Sequence, residues 1–480
     1  MIELYETLKK RFGYEKFRPG QKEVIQHILS GKDTIAILPT GMGKSLCYQL
    51  PGYLLEGSVV IVSPLVSLME DQAAQMRKNG EKSVIALNSF LSFQERKIAL
   101  QNLGQYKFIF VSPEMLLQER VANKLRSMKL SIIVVDEAHC VSQWGFDFRP
   151  DYLRIGKLID FDGRPPILSL TATAQSQVIE EISDYLHMDN PVVERHSLDR
   201  QNISYCIIQL NTYDEKYDWI KERVTATTGP GIIYASSRKR ADELSTELQS
   251  IGVAVQAYHA GKENEDRAII QEQFINGEIE WICATNAFGM GIHKGDIRQV
   301  IHEHMPSNMN AYVQEVGRAG RDGKPAAATL LYVPRDEDMT RFIVQNDLPA
   351  EEQIMHYAYL LSEGVNDDEA ADRASLGETA KRVLDFYMEQ FSIDKVLHIV
   401  DRLAKQKDSE VHEMVQLITG QRCIRESLMS YFDEKLDSKR EYCCSVCGLP
   451  NAVWLSSNQR LVERHSKRAR SWDERILSLL

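Results

Sequence analysis

Two short segments carry residues whose types and spacing could act on a polyphosphate. Pro39-Thr40-Gly41-Met42-Gly43-Lys44-Ser45 follows the apolar run TIAIL at 34–38 and precedes LCYQL, which has helical character. Small residues let such a turn curl until its N–H groups point inward at an anion. Lys44 then brings a positive charge to the β- and γ-phosphates, and Ser45 offers a hydroxyl to Mg2+. A helix starting there adds the positive end of its dipole. The strict spacing is broken at one place, because Leu38 occupies the first glycine position. A glycine-rich turn with an incidental Lys-Ser pair is the plainer alternative. The order strand, turn, helix favours the phosphate-binding one. The second segment is SIIVVDEAH at 131–139. Its apolar run ends in Asp136-Glu137 at a strand's carboxyl edge, where the ligands of open parallel sheets sit. Asp136 is expected to hold Mg2+ mostly through water. Glu137 is placed to take a proton from an attacking water, and His139 to couple this site to its neighbours. Alone, Asp-Glu-Ala-His could be a helix N-terminus; beside the phosphate loop it points to nucleoside triphosphate hydrolysis.

The elements that must position these segments are visible as an alternation. Short β-rich runs at 34–38, 59–62, 84–87, 108–111, 131–135 and 166–170 are separated by helical stretches. Nearly continuous apolar strands between amphipathic helices predict a parallel sheet covered on both faces. The rhythm restarts at 203–210 and continues through 231–235, 253–259, 278–285, 299–304 and 327–333. A boundary is expected near Asp199-Arg200-Gln201. After about 340 the strand pattern stops, and 351–400 is acidic with a helical period. No internal repeat and no low-complexity tract is visible.

Bulk properties agree. The 480 residues suggest roughly three domains, each large enough to close its own core. With 43% hydrophobic and 26% charged residues, the chain is neither disordered nor collagen-like. No stretch of 18 apolar residues and no secretory leader is present, so no membrane partner and a cytoplasmic address are expected. The net charge of −11 argues mildly against a polyanion partner, although a local basic groove would serve. Of eight cysteines, Cys47, Cys140, Cys206 and Cys283 lie in apolar runs, whereas Cys423, Cys443, Cys444 and Cys447 cluster late. A late cluster in a cytosolic chain suggests metal before disulfide.

With these motifs in place, the chain resembles superfamily 2 helicases, and specifically the RecQ family of DNA helicases, over about 10–335 and less specifically over 400–447. The resemblance implies two RecA-like parallel-sheet lobes, 1–200 and 201–340, then a helical zinc-binding subdomain over 341–448 and a basic tail over 449–480. Phe17-Arg18-Pro19-Gly20-Gln21 looks like the family's adenine-recognition motif. Gln21 would meet the adenine edge, with Tyr14 and Arg18 sandwiching the ring. An amphipathic helix entry is the alternative there. SPLVSLMEDQ at 63–72 resembles the motif that touches the nucleic-acid backbone. Ser169-Leu170-Thr171-Ala172-Thr173 resembles the element linking hydrolysis to strand movement through Thr171 and Thr173, although paired hydroxyls at a strand end also satisfy local backbone. In the second half, 236–238 and 258–261 look like strand-contact segments, with Arg238 and His259 as the contacting residues. The segment 284–292 resembles a sensor of nucleotide and DNA. Gln314-Glu315-Val316-Gly317-Arg318-Ala319-Gly320-Arg321 resembles the arginine motif. Gln314 is implied to bind nucleotide, and Arg321, with Arg318 beside it, is implied to reach the γ-phosphate across the cleft. A surface arginine pair is the plainer alternative.

Cys140 to Tyr152 places Trp144, Phe146 and Phe148 alternately, with Pro150 blocking a helix. It resembles the family's aromatic-rich loop. Base stacking there is sequence-tolerant, and Arg149 adds a charge for a phosphate. Phe146 stands where relatives often carry histidine, and packing of these aromatics between lobes is the alternative. CIRESLMSYF at 423–432 resembles the family's zinc-binding entry. Cys423, Cys443, Cys444 and Cys447 suit a tetrahedral Zn2+, the adjacency of Cys443 and Cys444 being unusual and a metal-free site the alternative. The 33 residues after Cys447 are too few for the winged-helix and further C-terminal domains of long members, which implies a short form or a truncated chain. The basic segment 460–475 reads as a solvated surface or a nucleic-acid contact.

The function implied is an ATP-dependent 3′-to-5′ DNA helicase acting in recombination and repair. Its cofactors would be ATP, Mg2+ and Zn2+. Its partners would be single-stranded and branched DNA, a single-strand-binding protein and repair factors. It is expected to act as a monomer associated with the nucleoid. The alternatives are an RNA helicase on the same lobes, or a nucleic-acid-binding scaffold with little unwinding.

Overall fold

The computed structural model describes residues 2–88, 91–142, 150–227, 229–285, 288, 294–436 and 443–449. Seven strands form the first sheet: β1 (Thr34–Ile37), β2 (Ser58–Val62), β3 (Val84–Leu87), β4 (Phe108–Val111), β5 (Leu130–Val135), β6 (Ile167–Thr171) and β7 (Val192–Arg195). Their order is β3-β4-β2-β5-β6-β1-β7 and every pairing is parallel. Six strands form the second: β8 (Ile203–Gln209), β9 (Gly231–Tyr234), β10 (Val255–Tyr258), β11 (Trp281–Ala284), β12 (Gln299–His302) and β13 (Ala326–Tyr332). They run β10-β11-β9-β12-β13-β8, again all parallel.

Both sheets are covered on both faces, as the continuous apolar runs predicted. In the first, Ile35, Ile37, Val60, Val62, Ile133 and Val135 pack on one side, and Ala36, Val59, Ile61, Ile132 and Val134 on the other. Successive side chains of a strand point to opposite faces, so a strand buried on both sides needs apolar residues throughout. The second sheet repeats this with Ile232 and Tyr234 against Ile233 and Ala235. Strand β7 was not anticipated. It is a sheet edge beside β1, and none of its four residues is fully buried, so it carries no apolar run.

The helices after 348 divide their packing. Ile354, Tyr357, Val383 and Leu384 extend the core of the first lobe, whereas Met414, Ile418, Ile424 and Leu428 extend that of the second. The 27-residue helix Ile393–Thr419 joins the two groups, since Val396 and Val400 belong to the first core and Val411 and Met414 to the second. At 1.5 Å per residue it is a strut of roughly 40 Å along which the lobes are held.

Candidate active site between the lobes

The phosphate loop lies at the carboxyl end of β1, and the Leu38 N–H donates at 3.0 Å to the carbonyl of Thr171, the last residue of β6. Ser45 stands at the N-cap position of the helix Leu46–Leu54 that follows, and its side chain makes no capping hydrogen bond. Gly41 adopts φ +86°, and a Cβ there would come within 2.9 Å of Arg321 Cγ. A Cβ on Gly317 would come within 2.2 Å of Thr40 Oγ1. These two glycines let the arginine-bearing turn of the second lobe lie directly on the phosphate loop of the first.

Lys44 Nζ is 3.3 Å from Glu137 Oε1. Glu137 itself adopts a left-handed backbone, φ +48°, at the turn out of β5. Its Oε2 lies 3.5 Å from His139 Nδ1. The same nitrogen is 3.1 Å from Thr171 Oγ1, whose hydroxyl donates to the Thr173 carbonyl at 2.9 Å. His139, Thr171 and Thr173 are all buried, so the acidic turn and the Thr-Ala-Thr segment form one hydrogen-bonded chain. Burial pushes the Asp136 carboxyl up to about 6, the Glu137 charge adds to this, and Lys44 opposes it. For Glu137, burial alone would raise the carboxyl, but the charges of Lys44, His139 and Arg318 outweigh it and hold it low. The two adjacent carboxyls are thereby driven apart, the pattern that separates acid and base roles.

Arg318 is buried, and Arg321 is half-buried. Burial lowers the Arg321 guanidinium to about 10, and the charges of Arg318 and Arg200 lower it further. Lys44, Arg318 and Arg321 thus converge from two lobes on one loop. Such a gathering of cations fits a highly charged anion such as a triphosphate. The donors offered to a divalent cation, the Ser45 hydroxyl and the Asp136 carboxylate, are hard oxygens of the kind Mg2+ takes.

Gln21 is buried against the loop rather than free. Its Nε2 donates to the Met42 and Gly43 carbonyls at 2.7 and 3.0 Å, and its Oε1 accepts from Arg18 N at 2.9 Å. Arg18 also donates to the Gly41 carbonyl. Tyr14 is exposed beside them, and Gln314 is half-buried on the helix Met309–Val316. Arg238 is exposed at the start of the helix Arg238–Ser250. His259 differs from the expected strand contact. It is buried, its Nε2 pairs with Asp242 at 2.9 Å, and its Nδ1 accepts from Gly261 N at 3.2 Å. Both ring nitrogens are used within the protein, so the ring holds the 259–261 turn beside Arg238. Trp144, Phe146, Phe148 and Arg149 lie outside the described residues, as do 286–287 and 289–292 of the sensor segment.

Sequence reasoning missed three contributors. Gln72 hydrogen-bonds the Asp136 carboxylate and accepts from Tyr48 Oη at 2.6 Å. Tyr152 Oη donates to the Asp136 carbonyl at 3.1 Å. Arg200 spans the cleft. Gln72 and Tyr152 sat inside segments already marked for nucleic acid, and Arg200 in the expected boundary; no spacing singled them out.

The four late cysteines come together. All four sulfurs lie within 4.8 Å of one another, with Cys423–Cys443 at 3.4 Å and Cys444–Cys423 at 3.8 Å. Sulfurs about 2.3 Å from a central zinc define a tetrahedron with edges of roughly 3.8 Å, so the set fits Zn2+. Cys443 and Cys444 both face the cluster despite their adjacency. The segment is stapled to the edge strand β8, where Tyr205 N donates to the Cys443 carbonyl at 3.2 Å and Ile207 N to Ser445 Oγ at 3.2 Å.

Two parallel-sheet lobes that share one phosphate loop and one arginine motif define a superfamily 2 helicase motor. Residues 18–182 match the DEAD/DEAH box helicase family, and residues 215–323 match the helicase conserved C-terminal domain. The fold is shared with the Mycobacterium smegmatis helicase Lhr bound to ssDNA and AMP-PNP, at TM-score 0.58 and 20% identity over 80% of this chain and 57% of that one. It is also shared with S. cerevisiae Dbp5 bound to RNA and ADP BeF3, at TM-score 0.56 and 18% identity over 72% and 90%. The sequence is 42% identical over 470 residues to the probable ATP-dependent DNA helicase RecS of Bacillus subtilis, covering 96% of this chain and 95% of that protein. It is 41% identical over 337 residues to the ATP-dependent DNA helicase RecQ of Pasteurella multocida, covering 69% of this chain and 52% of that one. The chain belongs to the RecQ family of ATP-dependent DNA helicases. Among the described residues no helix is long and apolar enough to cross a membrane.

Proposed function

We propose that this chain hydrolyses ATP in the cleft between its lobes, translocates 3′-to-5′ on single-stranded DNA and separates duplexes during recombination and repair. The observation that carries the reading is the seating of Arg321 against Gly41, which brings the second lobe's cations to the first lobe's phosphate loop. Lys44 and the loop N–H groups take the β- and γ-phosphates, with Thr40, Gly41 and Gly43 shaping the cradle. Ser45 and Asp136 would hold Mg2+, which supplies charge neutralisation to the transferring phosphoryl group. Glu137, kept ionised, accepts a proton from the attacking water. Arg321 and Arg318 meet the charge that develops on the γ-phosphoryl oxygens. Gln21, Tyr14, Arg18 and Gln314 complete the nucleotide site, Gln21 linking adenine recognition to the loop it hydrogen-bonds.

His139, Thr171 and Thr173 couple hydrolysis to lobe movement, because any shift of Glu137 acts on the His139 ring through their ion pair and is passed on along the hydrogen bonds to Thr171 and Thr173. Arg238, supported by His259, grips the DNA backbone, and Trp144, Phe146, Phe148 and Arg149 stack on and neutralise the strand. The polarity rests on the family resemblance. So do the division into lobes at 1–200 and 201–340, a helical zinc-binding part to 448 and a basic tail. Cys423, Cys443, Cys444 and Cys447 hold a structural Zn2+. A single-strand-binding protein and repair factors are the protein partners, the chain acting as a monomer at the nucleoid.

The test is ATP hydrolysis with and without single-stranded DNA, then unwinding of duplexes with 3′ or 5′ tails. Stimulation by DNA and unwinding of the 3′-tailed substrate are expected. Stimulation by RNA alone, or hydrolysis without unwinding of either substrate, would overturn the reading.

A further inference from the structure

The chain passes from the first sheet to the second through 196–202, and one side chain there touches both halves of the site. Arg200 Nη1 donates to the Thr40 carbonyl in the phosphate loop at 3.3 Å and to the Gly317 carbonyl at 3.1 Å. Its Nη2 donates to the Ala319 and Gly320 carbonyls at 3.0 and 2.7 Å. The last three acceptors lie just past the helix Met309–Val316, where carbonyls have no helical partner and the dipole end is negative. They also bracket Arg318 and immediately precede Arg321. A guanidinium is a rigid planar fork of donors. By bonding the loop and the turn at once, it fixes where the turn sits relative to the loop. The close approach of Gly317 to Thr40 lies beside this fork.

Arg200 is in turn held from behind. Arg425 is completely buried, and its Nη1 donates to the Arg200 carbonyl at 3.1 Å and to the Asp199 carboxylate, while Nη2 donates to the Ile203 carbonyl. Arg425 is in the first turn of the helix Ile424–Tyr431, two residues after Cys423. One end of that helix therefore grips the crossing segment. Its other end reaches the first lobe, where Tyr431 O accepts from Gln175 Nε2 at 3.0 Å and the Asp433 carboxylate from Ser176 Oγ at 2.9 Å.

We propose that Arg200 is a positioning residue for ATP hydrolysis: it latches the turn bearing Arg318 and Arg321 onto the phosphate loop when the cleft is closed, and Arg425 sets Arg200 in place. The proposal rests on the reading that this cleft hydrolyses ATP. Arg200 acts on the reaction only through where it puts Arg318 and Arg321. Its loss therefore slows turnover without removing a nucleotide contact.

The test compares wild type, Lys44→Ala, Arg200→Lys, Arg425→Lys, Arg321→Ala and the double variant of Arg200→Lys with Arg321→Ala, all on the full chain with single-stranded DNA. Lysine keeps the charge and stem but concentrates its donors on one nitrogen, so it cannot span loop and turn together. Arg200→Lys is expected to lower kcat about tenfold or more, since small misplacements of a reacting group are costly. The KM for ATP should stay within about twofold, the mark of an interaction that matters after binding. Arg425→Lys should lower kcat in the same direction. The double variant should lose clearly less than the product of the two single losses, because once Arg321 is gone the latch has only Arg318 left to place. Wild-type kcat in both Arg200→Lys and Arg425→Lys, or losses that multiply in the double variant, would overturn the latch while leaving the active-site reading intact. Wild type that matches Lys44→Ala, neither hydrolysing ATP, would instead remove the active-site reading and the latch with it.

Discussion

Lys44 Nζ and Glu137 Oε1 lie 3.3 Å apart, both nearly buried, one on the phosphate loop and the other at the end of β5. The ammonium holds the carboxyl ionised where burial would otherwise protonate it. A triphosphate entering the loop competes for that ammonium and leaves Glu137 a carboxylate with its Oε2 accepting no hydrogen bond among the described residues. The ion pair thus keeps Glu137 in the ionised form that the proposed role of general base requires.

Replacing the base separates binding from chemistry. Glu137→Gln keeps the shape and the Lys44 contact but cannot accept a proton. It is expected to bind ATP with near-normal affinity and to hydrolyse it roughly 10²- to 10⁴-fold more slowly. Lys44→Ala should lose turnover altogether. Steady-state ATPase with parallel nucleotide-binding titrations checks both, and normal hydrolysis by either variant contradicts the assignment.

The aromatic segment predicts a different defect. Trp144→Ala should leave ATP binding and DNA-free hydrolysis intact while weakening stimulation by single-stranded DNA. Losing one stacked base is worth about 1–3 kcal/mol, between about fivefold and about 160-fold in strand affinity. Titrating single-stranded DNA into an ATPase assay measures it. An unchanged stimulation curve removes the segment from the coupling path.

What the sequence disclosed, and what it withheld, follows from the range of the interactions. Among the described residues, twelve of the thirteen strands were legible, because a strand buried on both faces must be written as an apolar run. The Gly-Lys-Ser turn after β1 and Asp136-Glu137 at the end of β5 stood out because the chemistry proposed for them needs particular residue types next to one another. Strand β7 stayed hidden because an edge strand is free to carry Glu194 and Arg195. Arg200 and Arg425 stayed hidden because 225 residues separate them and each bonds to backbone carbonyls, which any sequence supplies. The partners of His259 stayed hidden for a related reason: the TyrHisAlaGly pattern marks the turn, while Asp242, which takes the ring, belongs to another element. The split packing of the helices after 348 depends on which lobe each apolar face meets, and a helical period alone does not name its partner.

The cysteine geometry makes an analytical prediction. If the four sulfurs share one zinc, purified protein should contain close to one equivalent, and Cys443→Ser and Cys444→Ser should each lose it. Two adjacent ligands would then be equally required despite their unusual spacing. Zinc retained at full stoichiometry by either variant would mean that residue is not a ligand. Because Arg425 lies two residues from Cys423 and hydrogen-bonds Cys443, the same variants should also loosen the segment around Asp199 and Arg200. That is read as faster amide exchange at 199–203.

The last prediction concerns the scaffold under the phosphate loop. Asp33, just before β1, is buried and accepts four hydrogen bonds. Arg164 gives two, at 2.9 and 2.7 Å, Ile167 N gives one at 2.8 Å, and Asp189 N gives one at 2.7 Å. One carboxylate thus ties the starts of β1, β6 and the β7 approach together. Burial alone would raise the Asp33 carboxyl, but the Arg164 guanidinium and the two backbone N–H groups outweigh it and hold it below the ordinary range. A carboxyl lowered in the folded state contributes stability that is fully present above its unfolded value, about 3.9, and that is lost as pH falls through the folded value. Asn at this position turns a donor toward Arg164 or Asp189. Asp33→Asn should therefore cost about 2–3 kcal/mol near neutrality, the range for hydrogen bonds to a charged group. For a lobe of this size that corresponds to melting roughly 4–12 °C lower. The gap between wild type and variant should be constant from about pH 5 to pH 8 and should close below about pH 4. Thermal unfolding followed across that range measures it. A gap at pH 3 as large as at pH 7 would show that the carboxylate's charge is not what secures the base of the loop.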